Sequence, residues 1–228
     1  NPESETKRIE LLGAIQTAGV RTMSRTTAFG LYENSVAGLV ERVTDHLANP
    51  PRYLPRQRFW TVRSKQTVLA TGALERPFAF GNNDRPGIMS ANAGRAYLNR
   101  YGVLPGNNII ISTNNDSAYE PAHELAKAGA KIRLIDTRTK TPELEKNCGI
   151  SVKTEAAPIN AHGRKGIRGL ESTGWEGIQS CDLLLVSGGW SPVAHLLSHR
   201  GIKLIWDDQI ACFVPGNINV PIHVAGSA

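Results

Sequence analysis

Cysteine is scarce in this chain: three residues in 228, Cys148, Cys181 and Cys212, with no C-x-x-C pair among them. Spacing so wide excludes a disulfide framework or a zinc ribbon as the support of the fold, and fits a protein of the reducing cytoplasm. Long apolar runs are missing as well. None approaches the roughly 18 residues that cross a bilayer as a helix, and no secretory signal pattern opens the chain, so no membrane partner is expected. Neither sign of charge dominates: 26 Lys and Arg against 20 Asp and Glu leave +6, scattered along the sequence. The densest basic stretch, residues 52–58, sets Arg52, Arg56 and Arg58 around Tyr53. It reads as a solvated loop leading into a strand, not as a nucleic-acid surface.

Catalytic constellations are equally thin. His195 and His199 stand four apart on an expected helix opened by Pro192, but no glutamate follows the first and no third ligand is evident. Cys181 beside Asp182 has no base placed near it by the sequence and reads as a strand-edge cysteine. Asp207 and Asp208 fall in a two-strand turn, where a structural role is expected. The sequence therefore offers no metal site and no catalytic residue.

What is present is the pattern of an α/β protein. A hydrophobic content of 40%, with 22 Gly and 13 Pro, describes a loop-rich globular chain with a core, as one large domain or two small ones. Strand 108–112, turn 113–117, helix 118–129 and strand 131–136 spell a βαβ nucleotide fold. A dinucleotide turn reads G-x-G-x-x-G/A, with an acidic residue about 20 positions on that holds the ribose. Here those positions are Thr113, Asn115 and Ala118, with Asp136 in place of the ribose acid. Ala118 still allows helix and strand to pack tightly. Asn115 fills space that the pyrophosphate would need, and Asp116 is expected to cap the helix amides itself and to repel a phosphate. The unit reads as a scaffold that has lost its phosphate cradle.

Around it, a helix is expected over 10–18 with Gly19 as its C-cap, then a strand over 20–29 and a turn at 30–35. Strands at 36–43 and 59–63 suggest an antiparallel excursion of the kind inserted in flavin-type folds. Strand 66–70 ends in Ala70-Thr71-Gly72-Ala73, small residues where a nucleotide would lie against a parallel sheet. A helix is expected over 91–101, short strands at 151–155, 158–162 and 166–171, and an apolar strand at 183–187 running into Gly188-Gly189. Residues 204–206 and 210–214 read as a hairpin, and strand 222–225 is expected to return to the first sheet. The chain lacks an initiator methionine and runs out in a glycine turn, so it is expected to be a piece of a longer polypeptide whose first sheet lacks its opening βα unit.

Four segments carry a family resemblance: 26–30 (TTAFG), 70–77 (ATGALERP), 82–89 (NNDRPGIM) and 113–119 (TNNDSAY). They resemble the α subunit of heterotetrameric sarcosine oxidase, in order and along essentially all of the sequence. The first two segments also occur loosely in opine-oxidase and cyanide-synthase subunits. The resemblance implies an α/β, two-dinucleotide-binding fold like that of disulfide reductases. Its outer Rossmann-like domain would be truncated at the N-terminus and would carry an inserted second Rossmann-like domain. The expected divisions are 1–104 (outer), 105–198 (inner, with the degenerate turn) and 199–228 (return to outer).

It also implies an enzyme that oxidatively demethylates sarcosine to glycine, using oxygen, tetrahydrofolate, FAD and covalent FMN, assembled from α, β, γ and δ subunits. In that family the α subunit holds NAD in its outer domain and the sarcosine chemistry lies on the β subunit. The implied NAD-facing positions are Ala28, Ala70, Thr71, Gly72, Ala225 and Gly226. Leu74 stands where the family often has His. The outer glycine loop and ribose acid would precede Asn1, so very weak NAD binding, or none, is expected of this chain alone. The region is thus expected to be an NAD-binding scaffold without catalytic residues. The alternatives are a subunit of a related opine or amino-acid oxidase, or a self-contained nicotinamide-dependent oxidoreductase working at Thr113.

Overall fold

The structure is a computed structural model that describes residues 2–142, 149–210 and 212–227; Cys148 and Ala211 lie outside the described residues. The chain divides into two compact units, Asn1–Gly72 with Pro192–Ala228, and Ala73–Ser191.

The second unit is built on a five-stranded, all-parallel sheet. Its order is Ile88–Ser90, Leu183–Ser187, Asn108–Thr113, Lys131–Asp136 and Ile150–Lys153. Side chains alternate across a strand, so successive apolar residues must be buried on opposite faces. Ile109, Ile111, Ile132, Leu134, Leu183 and Leu185 pack on one face with Ala91, Ala122 and Leu125 of the helices Ala91–Tyr101 and Tyr119–Lys127. Ile110, Ile135, Leu184 and Val186 pack on the other with Ala161, Leu170 and Cys181. That second cover comes from the antiparallel sheet Pro158–His162, Gly169–Ser172 and Gln179–Ser180. Continuous apolar runs at 109–111 and 183–186 are what a sheet covered on both faces requires.

The helix Ala91–Tyr101 matches its expected span. Ser90 caps it by accepting from the Ala93 amide, and Gly102 ends it at φ +65°. Where the sequence suggests one helix over 118–129, the chain makes a 3-10 turn at Asp116–Ala118 and then the helix Tyr119–Lys127.

The unit boundary falls at Gly72 and Ala73, well before the expected 104–105 division. Ile88–Ser90 pairs in parallel with Leu184–Val186, and Gly94 approaches the Leu185 side chain so closely that a Cβ would lie 2.9 Å from it. Residues 73–104 are therefore part of the second unit. A three-residue strand has too little periodicity to be seen in sequence. At the far end the division falls at Ser191 and Pro192 where 198–199 was expected.

In the first unit, Thr26–Tyr32, Val36–Arg42 and Gln57–Arg63 form an antiparallel sheet in that order. The first of these lies later than the expected 20–29, and Gly30 is inside it; the turn is confined to Glu33–Ser35. Thr67–Leu69 and Ile222–Val224 form a two-stranded parallel sheet. Leu204–Asp207 and Cys212–Pro215 make the expected hairpin. The first helix begins at Pro2, earlier than expected, and leaves Ile9, Leu11 and Leu12 exposed. The core of this unit gathers Leu31, Leu69, Ala194, Leu197, Ile202 and Ile222.

Candidate functional site

Two strand-end corners carry the residues singled out by sequence, and each lies within one unit. In the second unit, Asn108–Thr113 ends at the turn where a dinucleotide fold would hold its pyrophosphate. Asn115 fills it. Its amide Nδ2 donates to the Ser187 carbonyl at 3.1 Å and to Ser187 Oγ at 3.2 Å, while its Oδ1 accepts the Ser117 amide at 3.0 Å and also the Ser117 hydroxyl. Asn115 is thus the N-cap of the turn. Asp116, the expected cap, is exposed and pairs instead with Arg138 at 2.7 Å. The Trp190 indole N–H donates to Ser117 Oγ at 2.9 Å, and a second closure ties 188–189 to Arg76: the Gly188 amide donates to the Arg76 carbonyl at 2.7 Å, and the Arg76 amide to the Gly189 carbonyl at 2.9 Å.

Asp136, in the ribose-acid position, is fully buried and fully used. Its Oδ1 accepts the Arg138 amide at 2.9 Å and Arg138 Nε at 3.0 Å; its Oδ2 accepts Arg138 Nη2 at 2.8 Å and the Tyr119 hydroxyl at 2.9 Å. Burial, reinforced by the bond to Asp136, pushes the Tyr119 phenol up to about 12. The bonds to Asp136 hold Arg138 above its ordinary range, against the opposing effect of burial. Four donors on two oxygens leave no room for a ribose hydroxyl. This network was not foreseen; its sequence signal is an Arg two residues after the acid, close enough to fold back on it.

In the first unit, five of the six resemblance-implied positions come together. Thr67–Leu69 and Ile222–Val224 run side by side with Leu69 opposite Val224, and the Ala225 amide donates to the Leu69 carbonyl at 2.9 Å. Ala70, Thr71 and Gly72 therefore leave one strand end where Ala225 and Gly226 leave its neighbour. The Thr71 hydroxyl donates to the Val193 carbonyl at 2.6 Å, and the Val193 amide to the Gly72 carbonyl at 2.8 Å. Gly72 and Gly226 have φ of +72° and +76°, and a Cβ on either would meet nothing within 4 Å. Small residues thus border open space at the carboxyl end of parallel strands, as a dinucleotide requires. Ala28 belongs to a different sheet, on Thr26–Tyr32, where it is exposed at a register shift.

The remaining candidates have structural surroundings. His195 and His199 are exposed at a helix of only four residues, His195–Ser198. Among the described residues no group of three metal-ligating side chains forms. Burial raises the Cys181 thiol to about 11, so it stays protonated and unreactive near neutrality. Asp207 accepts the Gln209 amide at 2.8 Å and Asp208 the Trp206 indole at 2.7 Å, as residues of a hairpin turn do.

No protein-family model matches the chain. It is 41% identical over 212 residues to the sarcosine oxidase α subunit of Rhizobium meliloti, covering 92% of this chain and 21% of that protein. It is 38% identical over 232 residues to the corresponding α subunit of Corynebacterium sp. strain P-1, covering 96% of this chain and 24% of that one. An opine oxidase subunit of Agrobacterium tumefaciens is 25% identical over 68% of this chain and 36% of its own length. By sequence, then, the chain is a relative of sarcosine oxidase α subunits and spans about a fifth to a quarter of their length.

Among solved structures it is similar to the bacillithiol disulfide reductase of Staphylococcus aureus, with a TM-score of 0.67 at 12% identity over 97% of this chain and 68% of that one. An FAD-dependent pyridine nucleotide-disulphide oxidoreductase of Desulfovibrio vulgaris gives 0.60 at 15%, over 89% and 52%. The fold is that of the two-dinucleotide-binding, disulfide-reductase-like oxidoreductases.

Proposed function

We propose that this chain, kin to sarcosine oxidase α subunits, is the dinucleotide-holding and scaffolding part of an amine-oxidising flavoenzyme. NAD lies against Ala70–Gly72 and Ala225–Gly226 of the first unit, with Ala28 on its adenine side, and the second unit holds no dinucleotide. The whole enzyme oxidatively demethylates sarcosine to glycine with oxygen and tetrahydrofolate, using FAD and FMN and β, γ and δ partner subunits in the cytoplasm. In that scheme the residues of this chain bind and position; none of them breaks a bond of the substrate.

The observation that carries this reading is the contrast in how the two corners are filled. Asn115 and Asp136 spend every polar atom on the chain itself, whereas a Cβ on Gly72 would meet nothing within 4 Å. A pyrophosphate needs free amides and close backbone approach, and the second unit offers neither at Asn115. The opine-oxidase likeness fits the same role in a related amine oxidase.

The test is NAD retention by the enzyme that contains this region, purified with Gly72→Leu or with Asn115→Leu. Gly72→Leu is expected to cut bound NAD by about tenfold or more, since a side chain would enter the open corner. Asn115→Leu is expected to leave NAD unchanged. The opposite pattern would place the dinucleotide in the second unit and end this proposal.

A further inference from the structure

At the amino-terminal end of its parallel sheet, opposite the Asn115 corner, the second unit has a cleft of about 610 Å³. Its walls include Pro86, Gly87, Arg164, Lys165, Arg168 and Asp182. We propose that this cleft is a binding site for a multiply charged oxyanion, a phosphate or a polycarboxylate, held by Arg164, Lys165 and Arg168. The proposal does not depend on where NAD binds.

The cleft is rigidly made. The loop between Pro158–His162 and Gly169–Ser172 is tied to the sheet edge and to itself: the Ile167 amide donates to the Pro86 carbonyl at 2.8 Å, the Arg168 amide to the His162 carbonyl at 2.7 Å, and the Arg85 guanidinium to the Gly163 carbonyl. The Leu184 amide donates to the Gly87 carbonyl at 2.9 Å, which joins the floor to the sheet. Contact is so close that a Cβ on Gly87 would lie 2.7 Å from Ile167 and one on Gly163 2.0 Å from the Gly166 carbonyl oxygen. Only glycine fits at these points, and both have positive φ.

On this fixed backbone the sequence Arg164-Lys165-Gly166-Ile167-Arg168 presents three exposed cations. None has an ion-pair partner among the described residues. The one acid of the lining, Asp182, is already engaged: its two oxygens accept the Asn107 and Asn108 amides, each at 3.0 Å. Arg85 adds a further positive charge behind the loop, and its Nε is buried without a hydrogen-bond partner among the described residues. A pre-organised cleft with an excess of Arg forks and little carboxylate suits bidentate recognition of phosphate or carboxylate oxygens.

The experiment titrates the enzyme that contains this region by calorimetry with inorganic pyrophosphate and with tricarballylate. Arg164→Ser, Lys165→Ser and Arg168→Ser are combined in one variant, and Arg52→Ser, Arg63→Ser and Lys65→Ser in a control that removes the same charge from the other unit. Binding is expected to fall at least about tenfold in the first variant and to stay within about twofold in the control. Arg168→Lys, which keeps the charge, is expected to retain most of the affinity and shows that the loop tolerates substitution. A preference for pyrophosphate assigns a phosphate ligand and a preference for tricarballylate a carboxylate; either supports the site. No measurable binding of either anion to the parent overturns it, as does an equal loss in both triple variants, which would reduce the effect to net charge.

Discussion

At the end of Asn108–Thr113 the chain turns through Asn115 and fills the corner with side-chain hydrogen bonds; at the end of Thr67–Leu69 it turns through Gly72, where a Cβ would meet nothing within 4 Å. Both corners sit at the carboxyl end of parallel strands, the position that favours nucleotides in α/β sheets. The difference lies in side chains, not in topology. A buried donor or acceptor must find a partner, and whichever group reaches it first excludes the other. In the second unit the protein supplies those partners itself. A βαβ unit can therefore keep the architecture of a cofactor domain while its polar atoms make it a stable wall.

The strongest way to break this comparison is Asp136→Ala. It leaves the Tyr119 hydroxyl and Arg138 without their shared carboxylate, and is expected to cost about 3 kcal/mol. That is the low end for a broken buried pair, because the Arg138 side chain keeps 32% of its surface exposed. Urea unfolding measures the loss, and a change under about 1 kcal/mol would show that the network is not what closes the corner. Asn115→Ala comes next, with a loss of about 1–2 kcal/mol for an N-cap that also bridges to Ser187. Its midpoint of thermal unfolding, run with and without NAD, is expected to fall equally in both; an NAD-dependent rise in the variant alone would show that the asparagine had been blocking a working site.

A smaller effect probes the helix layer of the second unit, away from either corner. Burial opposes ionisation of Glu124, but bonds from Arg95 at 2.9 Å and Asn99 at 2.6 Å outweigh it and hold the carboxyl below its ordinary value. A carboxyl lowered by folding stabilises the native state above its unfolded value of about 4.5 and loses that contribution as pH falls through the folded one. Stability is thus expected to drop below about pH 4.5 in the parent, and Glu124→Gln should flatten that part of the profile; identical acid limbs would count against the pairing of Ala91–Tyr101 with Tyr119–Lys127. The smallest expected change is Asp116→Ala. As the N-cap that the sequence suggested it would be worth about 1 kcal/mol. As an exposed partner of Arg138 it should cost under about 0.5 kcal/mol, and equilibrium unfolding distinguishes the two.

Much of the fold is legible locally. The strands over 108–113, 131–136 and 183–187 follow from apolar runs that only a two-sided sheet can bury, and Ser90 and Gly102 mark both ends of the helix between them. Position 115 without glycine already argues against a phosphate cradle, because a side chain there must occupy the space. What stayed hidden depends on pairing at a distance. Ile88–Ser90 is too short to carry a period, so its place beside Leu183–Ser187 moved the unit boundary by some thirty residues. The cap passed from Asp116 to Asn115 because Arg138, more than twenty residues on, drew the acid away.

The sequence by itself determined the α/β class, the βαβ unit at 108–136 and the loss of a glycine turn, since periodicity and missing glycines act within a few residues. Tertiary structure alone decided that Asp136 is consumed by Tyr119 and Arg138, that Ala70–Gly72 and Ala225–Gly226 share one corner, and that a loop at 164–168 meets Pro86 and Gly87 in a cationic cleft. Those outcomes rest on hydrogen bonds and charges between segments far apart in the chain, whose partners no local pattern names.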